Sequence, residues 1–491
     1  MRGTLKNTDL RKKNILVNRG TLSEGLKNIA DYLGLNPEKS VFLHSTVVND
    51  DNLGRRLFYK PSFAHSQILS ILPRESTTPK GVCLYVNKDL RDYLSEVGLA
   101  PKENYFYIDK YPSKNTYPYF SVSGYFKEYL KNFDIDELES ISGSTVVSSF
   151  ISRDDEIIAN FIKGSLIMNV KDQVKFNSKY YLRQLSEKYD YPIPRGVAFE
   201  GLNSLEDAFT SLKELMILKG YNIDNAKVWC KFQSQTSGKG SYLFEGFNKD
   251  ALSNTRSHIF EFCQKLYISE DEILNKVPLI LEVDVNSIPD EIQIGNIGVE
   301  AVVGSDSITL VGCVSQDSKA GRYIGSIINT ETKELSKYAE EAALPFLKAI
   351  QIEGYRGFMT IDVLLTKSDT TGKISGYNID PNARFTAGTP LLSLLQYSEK
   401  MSEKELFGLS YSNAIKDSDN LFDRVKYYCG DDLYLGKDSN YQGIIPIILN
   451  DVNFFENKKR YLRTVVIKES ISQCKEVYMN FKEKIIKDLN S

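Results

Sequence analysis

The chain has 491 residues, of which 42% are hydrophobic and 25% charged, the composition of a folded globular protein rather than a disordered one. At about 100–200 residues per domain, this length predicts two to four domains. The formal charge of −3 at pH 7 provides no cationic excess for holding a polyanion, so we expect no nucleic-acid partner.

The apolar runs are short, and residues 444–449 fall far below the ~20 residues that span a bilayer. The basic N-terminal segment is not followed by the apolar stretch of a secretory signal. We therefore expect a cytoplasmic protein with no membrane partner. The six cysteines include no C-x-x-C pair and the three histidines do not cluster, so reduced thiols are favoured over a zinc site.

The first 150 residues alternate short apolar runs with helical patterns, which predicts an N-terminal α/β domain. The predicted strands are 14–17, 40–43, 81–86 and 105–108. Residues 112–119 carry proline, serine, asparagine and aromatic side chains, and this mixture is typical of a loop.

From about residue 151 the pattern becomes α+β and mostly antiparallel, and we predict a core domain over 151–395 and a C-terminal α+β segment over 396–491. The predicted helices are 156–162, 177–189, 205–218, 254–266 and 335–350, with another after 393 and a last one at the C-terminal end; Pro345 is a potential kink. The predicted strands are 196–199, 228–232, 242–244, 279–285, 298–303, 308–314, 358–365, 374–379, 443–449 and 464–467.

A polar loop joins two of these strands and has the sequence SQTSGKGS over 234–241. It is not a Walker A loop, because Gln233 replaces the first glycine and Gly240 replaces the hydroxyl residue that would touch magnesium. Its backbone N–H groups, small hydroxyls and single ammonium nevertheless suit phosphate oxygens. The residues concerned are Ser237, Gly238, Lys239 and Gly240. A solvated hairpin turn is the alternative interpretation.

Acidic side chains occur on two consecutive predicted strands, Asp362 on the first and Asp380 with Asn382 on the second. Residues two apart on a strand share a face, so three oxygen ligands can converge between neighbouring strands. Mg²⁺ takes a few hard protein oxygens and completes its octahedron with phosphates and water. Arg384 at the same strand end would complete an anion site. The alternative is a surface strand that ends in an Asx–Pro turn.

The order of these features resembles that of the ATP-grasp superfamily. Lys179 begins a helix, Lys231 lies on a strand, and the glycine-bearing hairpin, the strand end Glu282-Val283-Asp284 and the acidic strands follow. The stretch GYRGFMTIDVLL…YNIDPNARFTAGTP is similar to the closing pattern of that superfamily, although Asp380 stands where glutamate is usual. The resemblance covers about 176–390. Within the superfamily, the N-terminal domain and the N-A-R-x-T-x-G-T-P stretch resemble natural-product peptide ligases of the pheganomycin and butirosin types.

The resemblance implies an α+β ATP-grasp fold, two lobes that grip ATP, preceded by the α/β domain. It also implies ATP and Mg²⁺ as cofactors, with Asp362, Asp380 and Asn382 as metal ligands. The implied nucleotide contacts are Lys179 and Lys231 at the phosphates, with Lys231 also within reach of adenine; Ser237, Gly238, Lys239 and Gly240 in the lid; Glu282 and Val283 at the adenine; and Asp284 or Glu300 at the ribose. An apparent insertion, residues 286–296, follows the adenine-binding strand.

The implied reaction activates a carboxylate as an acylphosphate and joins it to an amine, with release of ADP and phosphate. Arg384 would face the transferred phosphoryl group, and Arg322, in a second predicted mobile loop over 315–325, would contact substrate. The expected partners are a small carboxylate and an amine, such as an amino acid or a peptide; a carrier protein and a homodimer stay open. A carboxylate–thiol ligase that loads a carrier protein, a non-catalytic ATP-binding scaffold and a plain α/β interaction protein are the alternatives.

Overall fold

The structure is a computed structural model that describes residues 15–35, 39–43, 78–84, 88–99, 105–108, 126–127, 130–148, 151, 153–233, 241–266, 268–319, 322–416, 421–451 and 459–490. The predicted loops 112–119 and 234–240 lie outside these ranges. Among the described helices, none has the length and apolar character needed to cross a bilayer.

The strands of the described chain are β1 (Leu16–Arg19), β2 (Lys39–Leu43), β3 (Thr78–Leu84), β4 (Tyr105–Ile108), β5 (Thr145–Ser148), β6 (Ser165–Leu166), β7 (Gly196–Glu200), β8 (Lys227–Phe232), β9 (Ser241–Glu245), β10 (Pro278–Val283), β11 (Glu291–Val303), β12 (Ser307–Lys319), β13 (Arg322–Ile328), β14 (Gly357–Ser368), β15 (Ile374–Asn382), β16 (Phe407–Lys416), β17 (Gly443–Asp451) and β18 (Lys459–Lys468).

The helices of the described chain are α1 (Leu22–Tyr32), α2 (Lys88–Glu96), α3 (Ile135–Ile141), α4 (Arg153–Phe161), α5 (Val170–Phe176), α6 (Lys179–Tyr189), α7 (Leu205–Leu218), α8 (Lys249–Lys265), α9 (Glu270–Asn275), α10 (Thr330–Ile352), α11 (Thr389–Ser402), α12 (Leu421–Cys429) and α13 (Ile471–Asn490).

The first sheet has the strand order β4-β3-β2-β5-β6, and its neighbouring strands are parallel. Val41, Val146 and Val147 on its central strands are fully buried, as expected for parallel strands covered on both faces. Helices α2, α3 and α4 separate β3, β4, β5 and β6 along the chain. The predicted α/β character of the N-terminal region is therefore confirmed, whereas the division into three domains stays a prediction.

A small antiparallel sheet follows, in the order β7-β10-β8-β9. One of its faces packs against α7 and α8, where Leu212, Val228 and Leu279 are completely buried. Helix α7 has the predicted bounds because its apolar residues recur with helical spacing. β8 and β9 form the predicted antiparallel hairpin, in which Lys231 opposes Ser241.

A large, mostly antiparallel sheet has the order β15-β14-β11-β12-β13-β16-β18-β17. The long helix α10 packs on it, burying Ala339, Ala343 and Phe346 against the sheet core. Pro345 lies inside α10, and the helix nevertheless runs from Thr330 to Ile352. The hairpin β14–β15 is antiparallel, as predicted.

The structure shows strands in two segments of this sheet where the sequence predicted none. Within residues 286–296, a short turn ends by Ser287, and β11 begins at Glu291 and pairs with β14 along its length. Residues 315–325 are not a mobile loop, because β12 and β13 pair through them and only residues 320–321 between these strands lie outside the described chain. Polar residues interrupt the apolar pattern in both segments, so the sequence does not indicate strands there.

Two further strands were misassigned or missed. β1, expected in the N-terminal sheet, pairs in parallel with β12 of the large sheet, with Leu16 opposite Ser307. β16, which was not predicted, pairs with β13 and β18 and joins the C-terminal strands to the large sheet. Its sequence FGLSYSNAIK alternates serine and glycine with larger residues, which gives a weak apolar pattern.

Candidate functional site

Two carboxylates meet on adjacent strands of the large sheet. Asp362 on β14 opposes Asp380 on β15, and Thr360 opposes Asn382 in the same ladder. The Asn382 amide donates to Asp362 Oδ2 at 3.5 Å and to the carbonyl of Asp380 at 3.3 Å. The predicted convergence of the three oxygen-bearing side chains is therefore present in the structure.

Asp362 occupies an unusually dry position for a carboxylate, with 8% of its surface exposed. The pKa of its carboxyl is raised to about 7, chiefly by burial and also by the neighbouring charge of Asp380. A hydrogen bond from Gln316 and the charges of Arg384 and Lys179 oppose this shift. A cation brought to the pair would favour the ionised form of Asp362.

Helix α6 joins the two antiparallel sheets through two basic residues four positions apart. Lys179 in its first turn places Nζ 2.6 Å from Asp380 Oδ1 in the large sheet. Arg183, one turn later on the same helix face, places Nη2 2.8 Å from Glu282 Oε2 in the small sheet. Ser178 caps the helix by accepting from the Tyr181 backbone N–H.

Glu282 near the end of β10 receives a second cation, since Lys231 Nζ on β8 also contacts its carboxylate. Glu282 and its two partners are all largely buried. Asp284, just beyond β10, accepts from Trp229 Nε1 at 2.7 Å and from the backbone N–H of Asn286 at 2.9 Å. Both carboxylate oxygens of Asp284 thus accept hydrogen bonds from residues of the chain. Lys231 lies on β8, which pairs with the predicted adenine-binding strand β10.

Arg384 lies two residues after β15 and is held by Asn177, the residue that follows helix α5. Its Nη1 donates to Asn177 Oδ1 at 2.5 Å, and the same oxygen accepts from the backbone N–H of Ala383 at 3.1 Å. Gln173 on α5 donates to the Ala383 carbonyl at 2.9 Å. Burial lowers the pKa of the Arg384 guanidinium, while the charges of Asp380 and Asp362 raise it.

Gln316 on β12 completes the surroundings of Asp362. Its Nε2 donates to Asp362 Oδ1 at 2.6 Å, and its Oε1 accepts from Asn296 Nδ2 at 3.3 Å. Strand β11 lies between the strands of Gln316 and Asp362. Its residue opposite Asp362 is Gly298, which has no side chain between Gln316 and Asp362. Gln316 therefore holds one oxygen of Asp362 in a fixed orientation.

Glu300 lies on β11 of the large sheet and is completely buried. Thr389 Oγ1 donates to its Oε1 at 3.0 Å, Thr386 Oγ1 donates to the same atom at 3.3 Å, and Oε2 has no hydrogen-bond partner among the described residues. Burial raises the pKa of this carboxyl to about 8. The other predicted ribose contact, Asp284, follows a strand of the small sheet. The two predicted ribose contacts therefore belong to different sheets.

The predicted phosphate loop begins beside Lys179. The backbone N–H of Lys179 donates to the Gln233 carbonyl at 2.8 Å, and Ser178 Oγ donates to Gln233 Oε1 at 3.2 Å. Ser237, Gly238, Lys239 and Gly240 lie outside the described residues. Arg322 is the first residue of β13, and the structure describes its backbone alone.

The donor set at Asp362, Asp380 and Asn382 suits a hard divalent cation. Two carboxylates and one carboxamide offer oxygen ligands but no nitrogen or sulfur of the kind that zinc prefers. Among the described residues, no group of three or more His, Cys, Asp or Glu side chains is arranged to hold a metal ion. Mg²⁺ fits the smaller set, because it takes few protein oxygens when phosphates supply others.

Four residues of the arrangement were not anticipated from the sequence: Gln173, Asn177, Arg183 and Gln316. Arg183 carried a usable signal, since it stands one helical turn after Lys179. Asn177 and Gln173 contact residues more than 200 positions away, and Gln316 was assigned to a loop. No local pattern reports contacts of that kind.

No protein-family model matches the chain, and no curated protein matches its sequence. Solved structures do resemble it. An ADP complex of N5-carboxyaminoimidazole ribonucleotide synthetase has a TM-score of 0.50 and 12% identity, over 92% of this chain and 98% of that one. A biotin carboxylase–β,γ-ATP complex from Campylobacter jejuni has a TM-score of 0.50 and 14% identity, over 92% and 91% of the two chains.

The biotin carboxylase domain of the 2-oxoglutarate carboxylase from Hydrogenobacter thermophilus, solved as a dimer with MgADP, ADP and bicarbonate, has a TM-score of 0.51. Its sequence is 9% identical, and the match covers 91% of this chain and 89% of that one. At such low identities the likeness concerns the fold. The chain has the α+β ATP-grasp fold preceded by an α/β region, as its sequence predicted.

Proposed function

We propose that the protein is an ATP- and Mg²⁺-dependent ligase that activates a substrate carboxylate as an acylphosphate and joins it to an amine, as in the natural-product peptide ligases. The observation that carries the proposal is the meeting of Asp362, Asp380 and Asn382 beside Lys179 and Arg384. Two acidic and two basic side chains at one place are what a metal-bound polyphosphate requires.

The nucleotide is placed along α6. Lys179 would contact the phosphates at the large sheet, and Glu282, Val283 and Lys231 would lie at the adenine end in the small sheet. Arg183 and Lys179 on one helix link the two ends. Complexes with ADP, with β,γ-ATP and with MgADP among the structures of like fold support the use of a nucleotide.

In the first step, an oxygen of the substrate carboxylate attacks the γ-phosphorus, the bond from that phosphorus to the bridging oxygen breaks, and ADP leaves. Arg384, held by Asn177, would stabilise the negative charge on the transferred phosphoryl group. In the second step the amine nitrogen attacks the acyl carbon and phosphate leaves. The protein needs no nucleophile of its own for either step.

Asp362, Asp380 and Asn382 would hold Mg²⁺, with the Asn382 carboxamide turned to present its oxygen. The metal offsets phosphate charge that otherwise repels an incoming carboxylate. Gln316 keeps Asp362 oriented, and Lys179 releases Asp380 as it moves to the phosphates. The predicted glycine-bearing lid, with Gly238 and Gly240, would exclude water from the acylphosphate.

The test is MgATP-dependent ADP release in the presence of candidate carboxylic acids, with hydroxylamine as the trap for the acylphosphate. We expect ADP release that depends on an added acid, and a hydroxamate in equal amount. Amines and a thiol, offered in place of hydroxylamine, distinguish the amine ligase from the carboxylate–thiol ligase, since both share the first step.

The matched control is Asp369→Asn, which changes an exposed aspartate in the turn of the same β14–β15 hairpin. This variant should keep wild-type activity, whereas Asp362→Asn should lose ADP release. If nucleotide binds but no acid or amine stimulates ADP release, the protein is an ATP-binding scaffold. If neither ATP nor Mg²⁺ binds, the proposal is wrong.

A further inference from the structure

Another basic group on the large sheet takes part in none of these roles. Arg463 on β18 is 2% exposed. Its Nε donates to Ser410 Oγ at 2.9 Å, and its Nη2 donates to the Tyr323 hydroxyl at 3.4 Å and to the Ala387 carbonyl. These three acceptors are neutral. In the part of the chain that the structure describes, no carboxylate lies within 4.0 Å of the Arg463 guanidinium.

Burying a guanidinium in this way costs free energy of folding. Arginine is rarely fully buried without an anionic partner, because removing its charge from water is compensated mainly by an opposite charge. Neutral oxygens satisfy the hydrogen-bonding capacity of Arg463 only in part, since guanidinium has five N–H donors. A carboxylate from a ligand would supply the missing charge and match the forked geometry of the donors.

The guanidinium lies on the same face of the sheet as Asp362. Directly opposed residues of antiparallel strands project to one face, as do residues two apart on a strand. The opposed pairs that connect the two positions are Asp362–Gly298, Gly298–Val314, Gln316–Ser326, Ser326–Ser410 and Ser412–Arg463. This face of the large sheet therefore carries the candidate metal ligands at one side and Arg463 at the other.

Polar side chains lie along this face between them, beside Val314, which is buried under Gly388. Arg463 reaches Tyr323 on β13, which lies three strands from β14, or about 14 Å at ~4.8 Å per strand. Gln316 lies in between, together with the Tyr323 and Ser326 hydroxyls, which are 2.6 Å apart. The Ala387 carbonyl that Arg463 contacts belongs to the turn that follows Arg384.

We infer that Arg463 binds a substrate carboxylate that does not react, on the side of this face away from the candidate metal ligands. The inference rests on the proposed function and narrows its substrate class to molecules with a second, free carboxylate, such as an amino acid or a peptide with a free C-terminus. The carboxylate takes the Nη2 hydrogen bond that the Ala387 carbonyl accepts in the structure. Either the acceptor or the donor supplies this group.

The experiment compares kcat/KM for ADP release between matched pairs of substrates. The acceptor arm offers alanine, leucine and phenylalanine beside their α-amides. The donor arm offers N-acetylglutamate beside N-acetylglutamine, which lacks the second carboxylate. In the arm that supplies the anion, we expect the wild-type protein to prefer the free acid by roughly 10- to 100-fold, the value of one charge-assisted contact.

Arg463→Gln should bring that preference close to one while the KM for ATP stays unchanged, and Arg463→Lys should keep part of the preference. An arginine that only holds the turn at Ala387 would change the rates of both members of a pair equally. Arg424→Gln, which removes an arginine that pairs with Asp488, is the matched control and should retain the wild-type preference. If Arg463→Gln does not fold, Tyr323→Phe tests the same contact and should lower the preference severalfold.

A wild-type preference near one in both arms, or a preference that Arg463→Gln leaves unchanged, overturns this inference and leaves the proposed ligase activity in place. Absence of ADP release with every pair overturns the proposed function, and this inference with it. The two failures are distinguished by the activity of the wild-type protein alone.

Discussion

Lys179 Nζ lies 2.6 Å from Asp380 Oδ1, so the cation proposed for the phosphates neutralises a proposed metal ligand. Both side chains are largely buried, and an unpaired charge at either position would be costly. Nucleotide and metal together supply what each residue loses when the pair separates: phosphate oxygens for Lys179 and Mg²⁺ for Asp380.

Lys179→Ala should weaken binding of MgADP, because it removes a charge-assisted contact worth ~1.5–3 kcal/mol, or roughly 10- to 100-fold in Kd. Calorimetric titration with MgADP measures the change. Lys188→Ala on the same helix removes a lysine that pairs with Glu353 at the surface and should leave the Kd unchanged. Equal affinities for the wild-type protein and Lys179→Ala would contradict the placement of the phosphates.

Asp362→Asn should abolish most of the ADP release, by ~10²-fold or more, since a metal contact at the transition state is lost. Its nucleotide-free form should melt no lower than the wild-type protein at pH 8, because burial disfavours the ionised Asp362 carboxylate beside Asp380. Differential scanning calorimetry without ligands, run beside the ADP-release assay, checks both statements. A large drop in melting temperature would instead indicate a structural role for Asp362.

Glu300→Gln tests the buried carboxyl through its pH dependence. Burial raises the pKa of Glu300 to about 8 in the folded protein, above the ~4.3 expected after unfolding. The stability that the protonated carboxyl contributes is fully present below pH ~4 and is lost as the pH rises through about 8. The melting temperature of the wild-type protein should therefore fall relative to that of Glu300→Gln between about pH 5 and about pH 9.

The control for this series is Glu206→Gln at an exposed position on α7, which should show no such divergence. A constant difference in melting temperature between the wild-type protein and Glu300→Gln over the whole range would mean that the Glu300 carboxyl ionises normally.

Glu282 should matter more to stability than either of its partners. Glu282→Gln leaves Arg183 and Lys231 buried without their carboxylate, a change expected to cost about 3 kcal/mol or more. Arg183→Met should cost less, because Glu282 keeps Lys231 as its counter-ion. Free energies of unfolding from urea titrations measure both variants, and the prediction fails if the two costs are equal.

Much of the fold could be predicted because the periodic patterns are strong. Helix α7 has the predicted bounds, and the hairpins β8–β9 and β14–β15 pair as expected, since each rests on apolar spacing within a short segment. Strand β16 was missed because its face toward the metal side carries serines, which read as loop. Polar residues on a strand that lines a site conceal the strand itself.

Some residues of the candidate site could likewise be predicted from the sequence, and others could not. Asp362, Asp380 and Asn382 could be placed together because one hairpin carries all three. The residues that fix them could not: Gln316 depends on the register of β12, and Asn177 reaches Ala383 from a different part of the chain. A motif indicates which side chains carry chemistry, whereas the contacts that orient them depend on the tertiary structure.

The parallel pairing of β1 with β12 has a consequence for how the chain reaches this structure. Leu16 cannot pair until Ser307, roughly 290 residues later, has been synthesised. At 5–20 residues per second, a ribosome takes roughly 15–60 s to synthesise that length. During synthesis, β1 is without its partner strand for that time. A shortened chain that starts at residue 151 would leave the β12 segment around Ser307 as an open edge, a ready template for association between molecules.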